Sequence, residues 1–377
     1  MIDSPLLTYL HEGIMVNPSR IVLARKRRGL THVELSERVG VSAQSLSNYE
    51  KNRQEPSEDV VTRLAHALDF PVAFFYGGET DPIPAESVSF RARSKLRARH
   101  RNMALSGAEL AVEFHDWVAT KLRLPAPDLP TLGKPDPATA AGMVRSRWGL
   151  GLAPISNMIH LLESRGVRVF SLSPEFQDVD AFAFYRSSVP FVFLNTGKTA
   201  ERSRFDAAHE LGHLILHSDE RPVDRPQAED EANTFARHFL MPPESVAAHM
   251  PSNPFVDQIL QGKRIWKVSA LALAYHLHDL DLLSDWAHRQ ACIELGKRGY
   301  RMAEPDGMPV RETSQLWEKV FRALRAKGVG SAQITEILDI PAAMTAEFTF
   351  GLTLVAVHGQ GGSARPQRSQ LRLVESN

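Results

Sequence analysis

Apolar residues recur every three or four positions along most of this chain, the period of a helix that buries one face, and strand-like runs are confined to one short stretch. Between Asn17 and Tyr76 several short helical periods follow one another. Arg20 to Arg28 ends at Gly29, and Thr31 with Glu34 three residues on forms a capping box for the next helix. Gly40 then gives a tight turn, and Ser42 can cap a helix from Ala43 to Glu50. Two short helices joined at a glycine predict a helix-turn-helix, with Leu46 and Tyr49 of the second helix facing the core. Ala104 to Leu122, Pro137 to Trp148 and Ile155 to Arg165 read as further helices, and the Pro-rich Leu124 to Pro137 reads as a linker. Val167 to Ser171, Ala181 to Tyr185 and Pro190 to Asn195 read as strands. Helical spacing then returns around Ala207 to Leu216, from Glu229 to Leu240 ahead of Pro242 and Pro243, and from Trp266 to His278. Val268 to Leu280 is expected to cap the preceding domain rather than form a second helix-turn-helix. Lys297 to Pro341 holds two more helices around Gly328 and Gly330. Of these, Ser331 to Leu338 resembles a small regulator helix but carries no expectation of DNA contact. No long internal repeat is visible.

The apolar run Ala208 to His217, AHELGHLILH, contains an HExxH spacing. At 3.6 residues per turn His209 and His213 share one face, one turn apart, where both imidazoles reach a single ion. Glu210 sits beside them as the group that would take a proton from water activated by zinc. The alternative is a pair of core histidines satisfied by backbone carbonyls, with Glu210 at an interface. A zinc site also needs a third protein ligand and an open position. The second helix, EDEANTFARHFLMP, offers Glu229 and Glu231 on different faces; Glu229 shares its face with Ala232 and Asn233, which makes it the preferred ligand. His217 lies about 12 Å in helical rise from His209, too far to share the ion, and is expected at a helix end or lining the cleft.

On the helix from Ala43 to Glu50, Gln44 can pair with adenine in a bidentate contact, while Ser42, Ser45, Ser47 and Asn48 are short polar groups suited to base edges or phosphates. Lys51, Arg53 and, from the first helix, Arg28 are expected phosphate contacts. A protein-binding module of the same fold is the alternative.

RFDAAHELGHLILH followed by EDEANTFARHFLMP resembles the ImmA/IrrE family of zinc metallopeptidases, and the resemblance extends through Arg145 to Phe170 and Lys267 to Ser284. It implies His209, His213 and Glu229 as zinc ligands and Glu210 as catalytic acid and base. GLTHVELSERVGVSAQSLSNYEKNRQEPS resembles the Xre-type, lambda repressor-like helix-turn-helix, with His32 standing where that family often has Gln. This second resemblance implies double-stranded operator DNA as a partner, commonly read by a homodimer on two half-sites.

Composition bounds the picture. The chain has 377 residues, enough for two or three domains, with 43% hydrophobic residues and a formal net charge of zero. Cys292 is the lone cysteine, which excludes an internal disulfide framework and fits a reducing cytoplasm. The opening MIDSPLLTYLHEGIMV is not read as a secretory signal, and no stretch is apolar enough to span a membrane. The charge is uneven: Arg91 to Arg101 has six Lys or Arg and no acid, either a solvated face or linker or a backbone-binding aid, and Pro226 to Asn233 is acidic. The expected architecture is multidomain and mainly α. An all-α helix-turn-helix domain (17–80) and a basic helical linker (81–136) lead to an α+β zincin-like peptidase domain with a small sheet (137–296). A helical C-terminal region (297–355) and a disordered tail (356–377) follow. The expected function is a cytoplasmic DNA-binding regulator whose zinc endopeptidase cuts a protein substrate such as a repressor, relatives in the resembled family being known to relieve repression. The alternative is a transcription factor whose zinc domain only senses or stabilises.

Overall fold

The computed structural model describes residues 15–85, 88–91, 98–133, 135–173, 176, 178–217 and 225–352. These divide into two units, each with its own core. The architecture is mainly α, with the only sheet among the described residues in the second unit.

The first unit begins with α1 (Pro18–Arg27), α2 (His32–Val39), α3 (Ala43–Glu50) and α4 (Glu58–Leu68), followed by a 3₁₀ turn at Val72–Tyr76. The local rules hold here. Thr31 Oγ1 accepts from the Glu34 amide at 3.2 Å while Glu34 accepts from the Thr31 amide at 2.7 Å. Gly40 closes α2 at φ 70°, a left-handed conformation that glycine adopts without a Cβ penalty. Ser42 caps α3 through the Ser45 amide at 2.9 Å. Leu35, Val39, Leu46 and Tyr49 close the small core between these helices.

Two segments expected elsewhere join this unit. α5 (Ala98–Lys121) belongs to the stretch expected to be a linker, yet it buries Leu105, Ala108, Leu110, Ala111, Val112, Phe114 and Val118. A helix apolar over so wide a surface must pack to be stable. It does so against α1, where Arg20 pairs with Glu113 at 2.9 Å. The C-terminal helices α14 (Gln315–Ala326), α15 (Ser331–Leu338) and α16 (Ala342–Phe348) supply the rest of its partners from Trp317 onward. Trp317, Phe321 and Phe348 surround Phe114 with ring centroids 5.4, 5.9 and 5.4 Å away. The expected independent C-terminal region is therefore divided. Residues up to Leu316 group with the second unit, and residues 317–352 with the first.

α15 and α16 also repeat the geometry of α2 and α3, although no repeat shows in the sequence. Both pairs have an eight-residue first helix, a left-handed residue after it (Gly40 at φ 70°, Asp339 at φ 52°), two more residues, and a second helix. The second helices differ in chemistry. α16 buries Met344, Thr345, Ala346 and Phe348, and its Glu347 holds Arg27 of α1 at 2.6 Å.

The second unit contains β1 (Ser89–Arg91), α6 (Pro137–Arg147), α7 (Met158–Ser164), β2 (Arg168–Leu172), β3 (Ala181–Arg186), β4 (Val189–Asn195), α8 (Ala200–Leu216) and α9 (Arg225–Leu240). It continues with α10 (Pro243–His249), α11 (Val256–Trp266), α12 (Ala270–Asp279) and α13 (Asp285–Lys297). The sheet order is β1-β3-β4-β2, with β2 parallel to β4 and both other pairs antiparallel. Phe170, Phe182 and Phe193 lie level across three strands, with neighbouring rings 5.4 and 4.9 Å apart. The three strands expected from sequence are present; β1 is an addition, too short and too basic in its surroundings to show alternation.

The Pro-rich stretch expected as a linker is pinned to this unit. Asp128 donates its amide to Arg165 O at 2.9 Å, Trp148 Nε1 donates to Asp128 O at 3.2 Å, and buried Arg168 donates to Pro125 O at 2.9 Å. Gly166, at φ 77°, is required there, because a Cβ would stand 2.2 Å from Ala126 O. On the opposite flank buried carboxylates tie down residues 304–316. Lys263 meets Glu304 at 2.8 Å, Arg204 pairs with Glu312, and Glu163 accepts the Gln315 and Leu316 amides at 3.0 and 2.9 Å. Most of the basic run (92–97) and all of the expected disordered tail (356–377) lie outside the described residues. Among the described residues no helix is long and apolar enough to cross a membrane.

Candidate metal centre

α8 is capped by Thr199, which accepts from the Arg202 amide at 3.3 Å, and lies against β3 and β4. α9 packs along it at very close range. At Gly212 an added Cβ would meet Phe235 Cδ1 at 3.1 Å and Ala232 Cα at 3.2 Å, so the two helices touch tightly there. This contact sets the register of the site. His209 and His213 stand three residues before and one after Gly212; Glu229 and Asn233 stand at the same offsets from Ala232. Two helices touching at these small residues must bring the four functional side chains together.

His209 Nε2 and His213 Nε2 are 3.0 Å apart, and the Glu229 carboxylate lies 3.3 Å from the first and 3.4 Å from the second. These three residues offer ligand atoms within 4.8 Å of one another, the one such group among the described residues. His209 is fully buried, His213 nearly so, and Glu229 half-buried. Burial pushes the Glu229 carboxyl up, but hydrogen bonds from His209 and His213 and their charges outweigh it and hold the group well below the usual carboxylate range.

The outer nitrogens of both imidazoles are also occupied. His209 Nδ1 contacts Asn233 Oδ1 at 3.1 Å, so with an ion bound Nδ1–H would donate to Asn233 and the Nε2 lone pair would be left for the metal. His213 Nδ1 meets His217 Nδ1 at 3.3 Å, and His217 Nε2 meets Glu231 Oε2 at 2.8 Å. Gln227 Nε2 donates to the other Glu231 oxygen at 2.8 Å. One consistent direction of donation runs from His213 through His217 to Glu231, and it leaves the His213 Nε2 lone pair free for a ligand. The His217 bond lowers the Glu231 carboxyl below its ordinary range. The two acids of α9 thus have different partners, Glu229 at the histidine pair and Glu231 behind it. Glu210 follows His209 on α8 and is fully buried (0 %). Sequence reading assigned nothing to Asn233, although its place four residues after Glu229 was the available signal.

This donor set suits a small divalent cation. Two neutral imidazole Nε2 atoms and one ionised carboxylate are the ligand types zinc takes in three-ligand sites, and their mutual approach matches a shared centre.

In the first unit, α3 carries the residues expected at DNA. Gln44 is exposed and donates to Asn48 Oδ1 at 3.1 Å; Ser42 is exposed, while Ser45, Ser47 and Asn48 are half-buried at the helix surface. Lys51 and Arg53 are exposed just beyond the helix. Arg28, expected as a phosphate contact, is held by Leu68 O at 2.7 Å and by the Asp69 carboxylate at 2.8 Å, so it serves as a clasp on the end of α4. His32 Nε2 meets Glu50 at 2.9 Å, and Glu50 also binds Arg25 at 2.6 Å. The residue that departs from the resembled family is thereby tied into the module's own frame.

A helix-turn-helix module and a separate unit with a two-helix His-His-Glu centre define the class: a DNA-binding-type protein with a metallopeptidase-like domain. Comparison with known families agrees. Residues 162–278 match the IrrE N-terminal-like domain of the peptidase M78 family, and residues 21–75 match a helix-turn-helix family, in the expected order along the chain. No curated protein matches the chain.

Proposed function

We propose that this protein is a DNA-binding transcriptional regulator carrying a zinc-dependent endopeptidase that hydrolyses a peptide bond in a regulatory protein, a repressor being the leading candidate. The observation that supports it best is the convergence of His209, His213 and Glu229 next to buried Glu210. His209 and His213 would hold Zn²⁺ through Nε2 and Glu229 through its carboxylate. When bound, the ion supplies Lewis-acid polarisation of a peptide carbonyl and acidifies a water. Glu210 would take a proton from the attacking water and return it to the departing amine, a transfer its buried position would favour by keeping competing solvent away. Asn233 and the His217–Glu231 pair hold the two imidazoles in the required tautomer. On the DNA side, Gln44, Ser45, Ser47 and Asn48 would face base edges, with Ser42, Lys51 and Arg53 at phosphates of the operator duplex.

Glu210→Gln keeps the volume and all three ligands while removing the base. The variant is expected to bind one zinc per chain, by metal analysis, and to lose cleavage of a co-expressed repressor by about 10²-fold or more. Undiminished cleavage would overturn the mechanism. A wild-type protein that binds zinc and DNA yet cuts no protein would instead be a metal-sensing regulator.

A further inference from the structure

α2 carries the wrong charge for the place its fold gives it. In a helix-turn-helix the second helix enters the DNA groove while the first crosses the phosphate backbone. The opening of α2, Thr31 to Glu34, has no Lys or Arg and one carboxylate, and His32 is turned to Glu50 at 2.9 Å. The carboxylate is there for a local reason: Glu34 accepts the Thr31 amide in the capping box. The same bond holds its carboxyl below the ordinary range, so it is ionised at neutral pH. An ionised acid beside phosphates is repelled, and a cation is needed from elsewhere in the unit.

α5 supplies one. It lies outside the matched helix-turn-helix segment, residues 21–75, yet packs on α1 with its first turn at the α1–α2 turn. Gly29, at φ 63°, has no side chain to hold it off: an added Cβ would stand 2.5 Å from Met103 Sδ and 3.0 Å from Arg99 Nε. Arg99 Nη1 comes to 3.6 Å from Glu34 Oε1, with the two side chains 53 and 43 % exposed. That separation is beyond a hydrogen bond, so Glu34 uses none of the five guanidinium donors. An ion pair so exposed contributes at most about 1 kcal/mol to folding, which makes stability a poor account of it.

We propose that α5 is part of the DNA-binding surface, with Arg99 contacting a backbone phosphate at the start of α2 and screening Glu34 from it. The ligand is duplex DNA because α2 and α3 form one pair: a polyanion lying along α3 passes the start of α2. That ligand rests on the DNA-binding reading of the module; the contact from outside the matched segment, and its dependence on Glu34, go beyond it.

The test uses the full chain and a labelled mixed-sequence duplex, titrated by anisotropy across a range of KCl concentrations, since phosphate contacts do not depend on sequence. Arg99→Ala is expected to weaken binding at least about three-fold and to lower the slope of log K against log salt by about one. Arg99→Lys keeps the charge and should keep the slope. Glu34→Gln retains the capping box, which accepts Gln at this position, and removes the charge. Added to Arg99→Ala, it should recover part of the lost affinity. Unchanged affinity and slope in Arg99→Ala, while the wild-type chain binds, overturns the contact, and no recovery by Glu34→Gln overturns the screening. If Arg99→Ala lowers the melting temperature by undocking α5, Arg99→Gln, which keeps the stem beside Gly29, carries the test. A wild-type chain that binds no duplex overturns the DNA reading itself, and the contact with it.

Discussion

The helix proposed to read DNA, α3, and the helix that carries the histidine pair, α8, place their chemistry on opposite sides of the packing problem. On α3 the residues that hold the helix, Leu46 and Tyr49, are buried, and the polar groups suited to DNA lie at the surface. On α8 the chemical residues are the buried ones: His209 and Glu210 are wholly enclosed, and each imidazole has a partner for its outer nitrogen. A surface polar group needs only to be presented; a buried one must be satisfied by neighbours. The first region should therefore tolerate changes in its functional residues with little loss of stability. In the second, function should depend also on side chains that support the histidines from behind, Asn233, His217 and Glu231.

The largest expected effect tests where the first region ends. Trp317→Ala empties the pocket beside Phe114, and large-to-small changes of this kind cost about 3–5 kcal/mol. Thermal unfolding should show the loss in the DNA-binding unit, with zinc content kept. If operator binding and its unfolding transition are unaffected, the C-terminal helices do not support that unit. Next in size is the support of the histidines. Asn233→Ala and His217→Ala are each expected to weaken zinc binding by about 10–100-fold, read by chelator competition, without changing DNA affinity. His217→Gln, which can still accept a hydrogen bond, should restore part of it; affinities equal to wild type would reduce these residues to passive neighbours. The smallest effects belong to the surface. Gln44→Ala should cost about 1–3 kcal/mol on a cognate operator and relax preference at one base pair, whereas Lys51→Ala should weaken all duplexes alike and reduce the salt slope by about one. Both should melt as wild type does. A large stability loss in either would break the contrast between the two helices.

Local signals were readable wherever the cause is local. The capping box at Thr31, the left-handed Gly40, the Ser42 cap and the one-turn spacing of His209 and His213 all depend on residues within four positions of one another. The choice of Glu229 over Glu231 was also within reach, because the apolar face of α9 indicates which acid turns toward its neighbour. Arg28 was misread because its partners, Leu68 and Asp69, lie some forty positions away. The Pro-rich segment was read as a linker for the same reason: its anchors at Arg165 and Arg168 carry no local mark.

By itself, the amino-acid sequence determined the helical character of the chain, the helix-turn-helix, the small sheet and the pairing of two histidines with a nearby acid, since each follows from periodicity, capping or spacing within a few turns. Tertiary structure alone decided three further things. The close crossing at Gly212 and Ala232 brings Glu229 and Asn233 to the histidines; residues 317–352 help close the core of the helix-turn-helix unit; and a three-residue strand pairs with the outer edge of β3. Each depends on surfaces that meet only after the chain has folded, and no window of sequence contains both sides of such a contact.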